Sequence, residues 1–441
     1  MSASRPLAFL ETFGCQMNVR DSETIRGVLA EMGYGVAESP DEADLILLNT
    51  CSVRDKPHRK VFSRLGQFRN LKRERPNLLI GVCGCMAQLI PQEIMRRAPH
   101  VDLLVGTRGY ADLADAIRGA QGNHGCQERL DVARPIPEGM PARRESRVVA
   151  RVTAIYGCSN FCSYCVVPYA RGPERSRLPQ EILREVRDLA RNGCKEVTLL
   201  GQNVNAYGAD LAADFDFADL LGQVHAVQGI ERIRFTTSHP KDCSARLIEA
   251  IARLPKVCEH LHLPVQSGDD EILRRMNRTY TSAEYLRLVQ RARAAVPGLA
   301  ITTDVMVGFP GEAEEQFERT LELFSVVQFD QAFMFKYNDR PMIAAAKMPD
   351  QVPEDVKQHR LERLIALQND ISRRKNAALE GHCVEVLVEG PRKERPGQLQ
   401  GRTRTNTLVV FDGGAELVGR LAMVRVEEGR VWGLLGSVKE A

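Results

Sequence analysis

The first part of the chain alternates short apolar runs with amphipathic stretches. Four of the apolar runs have the length of strands, at residues 7–14, 45–50, 78–84 and 101–106. Continuous apolar runs of this length are typical of parallel strands buried on both faces, and the stretches between them have the periodicity of helices. The pattern predicts an α/β domain with a parallel sheet over residues 5–120, followed by a polar linker at 121–147.

The middle of the chain continues the alternation of strands and helices. Its apolar runs lie at 148–157, 196–203, 232–238, 259–266, 299–309 and 329–337. Six β–α units in roughly 200 residues indicate an open, partial (β/α)6 barrel of the TIM type. We expect this domain to occupy residues 148–378 and to end in a long, charged helix.

The last part of the chain, residues 379–441, has the pattern of strands without helices. Short alternating runs and glycine-rich turns predict a small, OB-like β-barrel there. Basic residues cluster around two of its turns and are candidates for phosphate contacts, namely Arg392, Lys393, Arg395, Arg402 and Arg404. A solvated basic surface is the alternative interpretation of this cluster.

The cysteine content indicates what chemistry the protein carries out. The chain has 441 residues, 12 cysteines, nine histidines and a net charge of +3, which by itself requires no nucleic-acid partner. We find no apolar run long enough to span a membrane and no export signal, so we expect a cytoplasmic protein with reduced thiols. Many cysteines and few histidines then favour thiolate-bound iron over zinc.

Cys158, Cys162 and Cys165 form a CxxxCxxC run directly after the first strand of the predicted barrel. Three thiolates on one loop can hold three corners of a 4Fe–4S cluster and leave the fourth iron open for a cofactor or substrate. Packing cysteines or a zinc loop are the alternatives. Structural zinc usually takes four ligands, however, and no fourth cysteine or histidine is near in the sequence.

Cys15, Cys51 and Cys85 each follow a predicted strand of the first domain. The ends of neighbouring parallel strands meet at one edge of a sheet, so three cysteines that are far apart in sequence can converge there. Alternation places the competing Cys83 inside its strand, although buried cysteine is also a common core residue. Tight turns and hydrogen bonds to sulfur are expected from the flanking Gly14, Asn18, Asn49 and Gly84.

The sequence YGCSNFCSYCVVPYARGPERSR around the CxxxCxxC loop resembles the radical S-adenosylmethionine (SAM) superfamily. The resemblance implies that SAM chelates the open iron and is split to a 5′-deoxyadenosyl radical, with Tyr164 beside the adenine. GFPGE at 308–312 resembles the stretch that supports adenine, although a turn before a helix has the same composition. Gly308 and Glu312 of this stretch are therefore expected to bind the cofactor. Polar contacts to SAM are also expected from four residues that could equally be strand-end caps: Gln202, Asn203, Ser238 and Gln266.

Most of the chain resembles the methylthiotransferase family. The motifs are TFGCQMN, NTCSVR, GCMAQ, the CxxxCxxC segment, LLGQNVNAYG, TTSHP, LHLPVQSG and DVMVGFPGE, and LQGRTRTN resembles the TRAM module that follows them. The resemblance implies a second 4Fe–4S cluster at Cys15, Cys51 and Cys85. One SAM would supply the radical at the CxxxCxxC cysteines, and a second would methylate sulfur held at the other cluster.

Within the family, NTCSVR, LGQNVNAY and TTSHP are most similar to members that methylthiolate carbon 2 of N6-dimethylallyladenosine at position 37 of tRNA. Members acting on threonylcarbamoyladenosine or on a ribosomal-protein aspartate are alternatives, and an RNA-binding iron–sulfur sensor is a non-enzymatic one. The resemblance implies an anticodon stem-loop partner and an electron donor such as flavodoxin or ferredoxin. The inserted sulfur comes either from the cluster itself or from an external sulfur donor, and we expect a monomer. One segment departs from the family pattern. The family commonly has a Ser-x-Arg-Pro-Gly-Thr run, and this chain keeps Arg340-Pro341 but has Met342 and Ile343 in place of Gly-Thr, so we expect contacts at these two positions to differ from those of the family.

Overall fold

The computed structural model describes residues 5–52, 55–122, 125–212, 214–340, 342–392, 395 and 397–439, and of 55–57 it describes the backbone alone. The chain divides into two compact units. The first comprises Met1–Glu145, Ile155–Phe161 and Cys165–Arg177, and the second comprises Ser146–Ala154, Cys162–Tyr164 and Leu178–Ala441. No helix in the described ranges is long and apolar enough to cross a membrane.

The first unit is built on a six-stranded parallel sheet. Its strands are β1 (Leu7–Thr12), β2 (Gly35–Val36), β3 (Leu45–Thr50), β4 (Leu79–Gly84), β5 (Leu103–Val105) and β6 (Gln127–Arg129). Its helices are α1 (Gln16–Glu31), α2 (Asp55–Glu74), α3 (Cys85–Leu89), α4 (Pro91–Arg97) and α5 (Leu113–Gln121). The strand order is β2-β1-β3-β4-β5-β6, so the four predicted strands are confirmed, and β6 comes from the stretch interpreted as a linker.

Strand β3 shows why the apolar runs of this sheet are continuous. Ile46 and Leu48 pack on one face of the sheet with residues of α2, and Leu45 and Leu47 pack on the other face with residues of α1 and α5. Successive side chains of a strand point to opposite faces, so a strand covered by helices on both sides has a continuous apolar run, here residues 45–48. All four side chains are fully buried.

The next part of the chain carries the predicted barrel. Its strands are β7 (Val149–Thr153), β8 (Ile155–Tyr156), β9 (Arg175–Ser176), β10 (Glu196–Leu200), β11 (Arg232–Thr236), β12 (His260–His262), β13 (Ala300–Val307) and β14 (Gln331–Lys336). Its helices are α6 (Val167–Arg171), α7 (Pro179–Arg191), α8 (Phe217–His225), α9 (Ala245–Arg253), α10 (Asp270–Arg275), α11 (Ser282–Ala295), α12 (Glu314–Val327) and α13 (Glu354–Ala377). The elements β8, α6 and β9 belong to the first unit.

Six parallel strands of the second unit form an open barrel. They make two three-stranded sheets in the orders β11-β10-β7 and β12-β13-β14. A parallel bridge between Ile233 and Val257 joins β11 to the residues just before β12. Each predicted barrel strand is found, and the partial (β/α)6 architecture is confirmed.

The C-terminal part forms a closed barrel with the order β15-β16-β17-β19-β18, also as predicted. Its strands are β15 (Cys383–Pro391), β16 (Gln398–Thr403), β17 (Leu408–Asp412), β18 (Leu421–Arg430) and β19 (Gly433–Val438). Val386, Val409, Phe411 and Val424 are among the buried residues of its core. Closure leaves this small module without a free sheet edge.

Within the second unit, two buried arginines of β11 bind a turn of the closed barrel. Arg232 Nη1 donates to the carbonyl of Arg402 at 2.7 Å, and Arg234 donates to the carbonyls of Thr403 and Arg404 at 2.6 and 2.8 Å. Buried guanidinium groups need such acceptors, because an unpaired buried charge is costly. The end of β16 and the start of the turn after it, residues 402–404, are therefore a docking element of the fold.

The side chains of this turn are also engaged inside the molecule. Arg404 forms two hydrogen bonds of 2.7 Å with the carboxylate of Glu259, and Arg402 lies 3.5 Å from Glu389. The interpretation of Arg404 as a phosphate contact therefore needs correction, whereas that of Arg402, whose side chain is 38% exposed, stays a prediction. A basic residue can be identified from sequence, but its carboxylate partner cannot when that partner is more than a hundred residues away.

Replacing Glu259 with glutamine should destabilise the docking of this turn. The change removes a charge-assisted, bidentate interaction with Arg404, and we expect a loss on the order of 1–3 kcal/mol. Thermal unfolding followed by circular dichroism measures it. Glu249→Gln is the matched control, because Glu249 pairs with Arg253 on the surface, where the two side chains are 53% and 77% exposed. This control variant should leave the melting temperature unchanged. Equal melting temperatures for the two variants would contradict a role of the Glu259–Arg404 pair in docking the closed barrel.

Candidate functional site

Three cysteines lie at the carboxyl edge of the first unit's sheet. Cys15 follows β1 and caps the N-terminus of α1, Cys51 follows β3, and Cys85 follows β4 and begins α3. Because β1, β3 and β4 are adjacent in the sheet, their carboxyl ends bring these cysteines to one place. The structure thus gathers the three cysteines that the sequence separates.

Two asparagine side chains join the loops that carry these cysteines. Asn18 Nδ2 donates to the carbonyl of Thr50 at 3.0 Å, and Asn49 Nδ2 donates to the carbonyl of Asn18 at 2.8 Å. The Cys15 thiol donates to Asn18 Oδ1 at 3.3 Å. These bonds fix the loops after β1 and β3 against each other, so the cysteines are held in place before any ligand binds.

Two glycines allow the loops to approach. Gly14 has φ +134°, and a Cβ there would lie 2.5 Å from the Cβ of Cys51. Gly84 has φ +87°, and a Cβ there would lie 2.6 Å from Asn49 Oδ1. Both positions require glycine for its backbone conformation and for the space that its missing side chain leaves.

The pKa values of Cys15 and Cys83 are shifted in opposite directions. A hydrogen bond with Cys51 lowers the pKa of Cys15 to about 6, against desolvation, and the charge of Arg171 adds to the effect. Burial raises the pKa of Cys83 to about 12, with a further contribution from Asp21. Thiolates are the metal-binding form of cysteine, so Cys15 suits a ligand and Cys83 suits the core.

Cys85 is buried, and its pKa reflects two opposing influences. Burial raises the pKa of its thiol, while the charge of Arg171 lowers it. In the part of the chain that the structure describes, no three Cys, His, Asp or Glu side chains converge closely enough to hold a single metal ion. A cubane cluster has no such requirement, because each of its irons takes one thiolate. The donor set and its preorganisation therefore fit a three-thiolate iron–sulfur cluster.

The CxxxCxxC loop supplies hydrogen-bond donors to two of its own sulfurs in the first unit. Asn160 Nδ2 donates to Cys158 Sγ at 3.5 Å, and the Val167 amide donates to Cys165 Sγ at 3.4 Å. The Cys158 amide donates to the carbonyl of Gly172 at 3.1 Å, which folds the segment back on itself. Donors directed at sulfur stabilise thiolates and tune iron–sulfur clusters.

Cys162, in the second unit, is contacted by an arginine that sequence reasoning missed. Arg278 Nη1 lies 3.6 Å from Cys162 Sγ, and Arg278 Nη2 donates to the carbonyl of Pro264 at 3.0 Å. Burial lowers the pKa of Arg278, but nearby Tyr164, Tyr280 and Cys162 more than offset this and raise it. Arg278 lies between α10 and α11, where no motif distinguishes it from a solvated arginine.

The polar residues predicted to contact SAM have different surroundings in the second unit. The side-chain amide of Gln202 and the hydroxyl of Ser238 are buried and have no hydrogen-bond partner among the described residues. Asn203 Nδ2 donates to Asp242 at 2.8 Å, and Gln266 has a strained backbone φ of +70°. Unsatisfied buried polar groups are costly, so Gln202 and Ser238 fit the role of ligand contacts.

Gly308 and Glu312 form a braced turn after β13. Glu312 Oε2 accepts the Gly308 amide at 2.6 Å and Arg360 Nη1 at 3.0 Å. Burial raises the pKa of Glu312 to about 7, although the Gly308 amide and Arg360 oppose the rise. The Glu312 carboxylate thus fixes the conformation of the turn.

The segment that departs from the family pattern lies near the cysteine loop in the second unit. The Ala345 amide donates to the carbonyl of Ser163 at 2.9 Å, and Ile343 is 2% exposed. Pro341 lies outside the described residues. The isoleucine is therefore a packing residue next to the chain that supports Cys162.

Comparisons with known proteins agree with this organisation. The chain matches family models described as "Uncharacterized protein family UPF0004" at residues 8–106, "Radical SAM superfamily" at 152–324 and "TRAM domain" at 377–439. A tRNA-2-methylthio-N(6)-dimethylallyladenosine synthase from Desulforamulus reducens is 49% identical over 98% of this chain and 95% of its own length. The enzyme of the same name from Moorella thermoacetica is 50% identical over 97% of each chain.

Solved structures resemble the chain in fold. The radical SAM methyltransferase TsrM from Kitasatospora setae, with cobalamin and a 4Fe–4S cluster bound, has a TM-score of 0.57 and 14% identity over 78% of this chain and 77% of its own. The cobalamin-dependent radical SAM enzyme OxsB has a TM-score of 0.52 and 12% identity over 83% of this chain and 56% of its own. At these identities the likeness concerns the fold alone.

Proposed function

This chain belongs to the tRNA-2-methylthio-N(6)-dimethylallyladenosine synthase family. We propose that two trios of cysteines carry its reaction, the first in the CxxxCxxC loop and the second at the sheet edge of the first unit. The chain is a radical SAM enzyme that methylthiolates N6-dimethylallyladenosine in tRNA, as identities of 48–50% over nearly its full length indicate. The alternatives, threonylcarbamoyladenosine and a ribosomal-protein aspartate, are not favoured. For the second trio, the proposal rests on the convergence of Cys15, Cys51 and Cys85 at one sheet edge.

Each trio has a separate task in the proposal. Cys158, Cys162 and Cys165 hold the 4Fe–4S cluster that binds SAM, and Cys15, Cys51 and Cys85 hold a second one. When bound, the clusters and SAM supply radical hydrogen removal and the methylthio group. Carbon 2 of adenine resists polar substitution, which is why radical chemistry is needed.

The chain's own residues bind and orient these groups. Gln202 and Ser238 are proposed to satisfy their buried polar atoms on SAM, and Tyr164 to lie beside its adenine. Glu312 supports the adenine side indirectly, by fixing the Gly308 turn. The hydrogen bond with Cys51 and the charge of Arg171 lower the pKa of Cys15, which favours the thiolate that a cluster ligand requires.

The turn around Arg392 and Arg395 is the proposed phosphate contact of the TRAM barrel. Arg395 is exposed, and the Arg392 amide donates to the carbonyl of Gln398 at 2.9 Å, which shapes the turn. Lys393 lies outside the described residues. Since the substrate base stands in a single-stranded anticodon loop, it can be presented without opening a duplex.

Arg395→Gln should weaken tRNA binding and lower its salt dependence. A lost phosphate contact reduces the slope of log affinity against log salt by about 0.9. Fluorescence anisotropy with a dimethylallylated anticodon stem-loop at several salt concentrations measures this slope. Arg253→Gln, an exposed arginine of α9, is the control and should leave the slope unchanged. Identical slopes for the two variants would exclude Arg395 from the interface.

Further partners follow from the proposed chemistry. Cleavage of SAM needs electrons, so we propose a small donor such as flavodoxin or ferredoxin, and continued turnover needs a sulfur donor. A tRNA substrate and reduced thiols are typical of the cytoplasm, and we propose that the enzyme is cytoplasmic and acts as a monomer.

The proposed function is tested by anaerobic reconstitution with iron, sulfide, SAM and a reductant. Dimethylallylated, threonylcarbamoylated and unmodified anticodon stem-loops are offered separately and analysed by mass spectrometry. A methylthio gain on the dimethylallylated stem-loop alone is expected. A product on the threonylcarbamoylated loop instead would move the chain to the alternative substrate, and absence of 5′-deoxyadenosine would favour an iron–sulfur sensor.

A further inference from the structure

A buried arginine joins helix α6 to the Cys15–Cys51–Cys85 edge within the first unit. Arg171 is the last residue of α6 and is 3% exposed. Its Nη2 donates to Asp21 Oδ2 of helix α1 at 2.7 Å. A buried arginine with one carboxylate partner is a fixed positive charge whose remaining donors have a defined direction.

The backbone around Arg171 is anchored to the same unit. Thr107 Oγ1 donates to the carbonyl of Ala170 at 2.7 Å, and Arg108 Nη2 donates to the carbonyl of Arg171 at 3.3 Å. Gly172, with φ +74°, ends the helix. Both the main chain and one side of the guanidinium are thus held, and the arginine has little freedom to turn away.

The second terminal nitrogen of the Arg171 guanidinium, Nη1, lacks a hydrogen-bond acceptor among the described residues. Arg171 Nη1 is buried and has no hydrogen-bond partner in the described part of the chain. Helix α6 contacts α3, which begins at Cys85, so Arg171 lies beside this cysteine set. Its charge adds to the hydrogen bond with Cys51 in lowering the pKa of the Cys15 thiol, and its charge together with a side-chain hydrogen bond lowers that of Cys85 against the effect of burial. A donor left unsatisfied next to candidate cluster ligands indicates an acceptor that the protein alone does not supply.

We propose that Arg171 Nη1 donates a hydrogen bond to a sulfur of the cluster held by Cys15, Cys51 and Cys85, and that Arg171 is a positioning residue for this cluster. The inference rests on the proposed function, since it needs a cluster at that edge. Sulfide is a suitable acceptor, and a permanently charged donor favours the more negative, reduced state of a cluster. Removing the donor should therefore make the reduction potential more negative.

The same contact links the two cysteine sets along the chain. Helix α6 begins at Val167, whose amide donates to Cys165 Sγ, and it ends at Arg171. One short helix therefore carries a donor to the CxxxCxxC cysteines at its start and a donor beside the Cys15–Cys51–Cys85 edge at its end. The position of Arg171 at the Cys15–Cys51–Cys85 edge therefore depends on helix α6, which starts directly after the CxxxCxxC loop.

The test uses the full chain with Cys158, Cys162 and Cys165 replaced by alanine, so that the remaining cluster belongs to the sheet edge. Arg171→Gln is introduced alone and together with Asp21→Asn, because the double variant leaves no unpaired buried carboxylate. Iron content, the electron paramagnetic resonance spectrum and the potential from a redox titration are measured. Arg177→Gln is the control, since Arg177 is a buried arginine of the same segment that pairs with Glu138.

We expect both Arg171 variants to have a more negative potential and an altered spectrum, and the Arg177 control to match the parent. A double variant that binds iron with the parent's potential and spectrum overturns the role of Arg171 but leaves the two-cluster proposal standing. A parent that binds no cluster overturns both. A shift as large in Arg177→Gln as in Arg171→Gln also overturns the inference, because loss of any buried charge would then explain it.

Discussion

Alanine in place of Cys162 should abolish the cleavage of SAM, so that neither 5′-deoxyadenosine nor methylthiolated tRNA forms. In the proposal Cys162 is one of three thiolates that leave an iron open, and Arg278 contacts its sulfur at 3.6 Å. With two ligands the cluster is lost or loses the geometry that SAM needs. Anaerobic assays with reductant and SAM, read by chromatography of 5′-deoxyadenosine, should fall to the rate without enzyme, and iron should fall by about four atoms per chain.

Cys383→Ala is the matched control for this prediction. Cys383 is an exposed cysteine of β15 in the TRAM barrel, so its removal tests the loss of one thiol outside either trio. The control should retain its iron and its rate of SAM cleavage. Normal 5′-deoxyadenosine formation by the Cys162 variant would contradict the assignment of the CxxxCxxC loop.

The fold and the cysteine edge could be predicted because local patterns determine them. The uninterrupted apolar run of β3 predicts a strand buried on both faces, and such strands belong to parallel sheets. Parallel strands place their ends at one edge, so Cys51 could be located from the end of that run. Alternation along β4 likewise distinguished Cys85 from Cys83, which the structure places inside the strand.

The charged partners could not be predicted, because they depend on contacts between distant parts of the chain. Arg171 meets Asp21 across 150 residues, and Arg404 meets Glu259 across 145. The sequence gives the sign of each charge but not its neighbour. Arg404 was therefore interpreted as a candidate RNA contact when it is an internal ion pair, and Arg171 was not distinguished at all.

Cys85→Ala should separate the two halves of the reaction. The cysteine belongs to the sheet-edge trio, so its loss should remove about four irons while the CxxxCxxC cluster remains. SAM cleavage to 5′-deoxyadenosine should continue, and the methylthio product should be absent, because the methylthio group has no site on which to assemble. Iron analysis, 5′-deoxyadenosine measurement and mass spectrometry of the stem-loop are made on the same reconstituted sample.

Cys83→Ala is the sharpest control for this prediction, because it removes a neighbouring thiol by the same substitution. Cys83 is fully buried in β4 with its pKa raised to about 12, so it contributes packing and no thiolate. Its variant should lose roughly 1 kcal/mol of stability from the small cavity and keep both its iron and its methylthio product. Loss of the product in Cys83→Ala but not in Cys85→Ala would contradict this assignment. The third cluster ligand would then be Cys83 inside the strand and not Cys85 at the sheet edge. The comparison therefore tests whether the end of the strand, rather than its interior, presents the third thiolate.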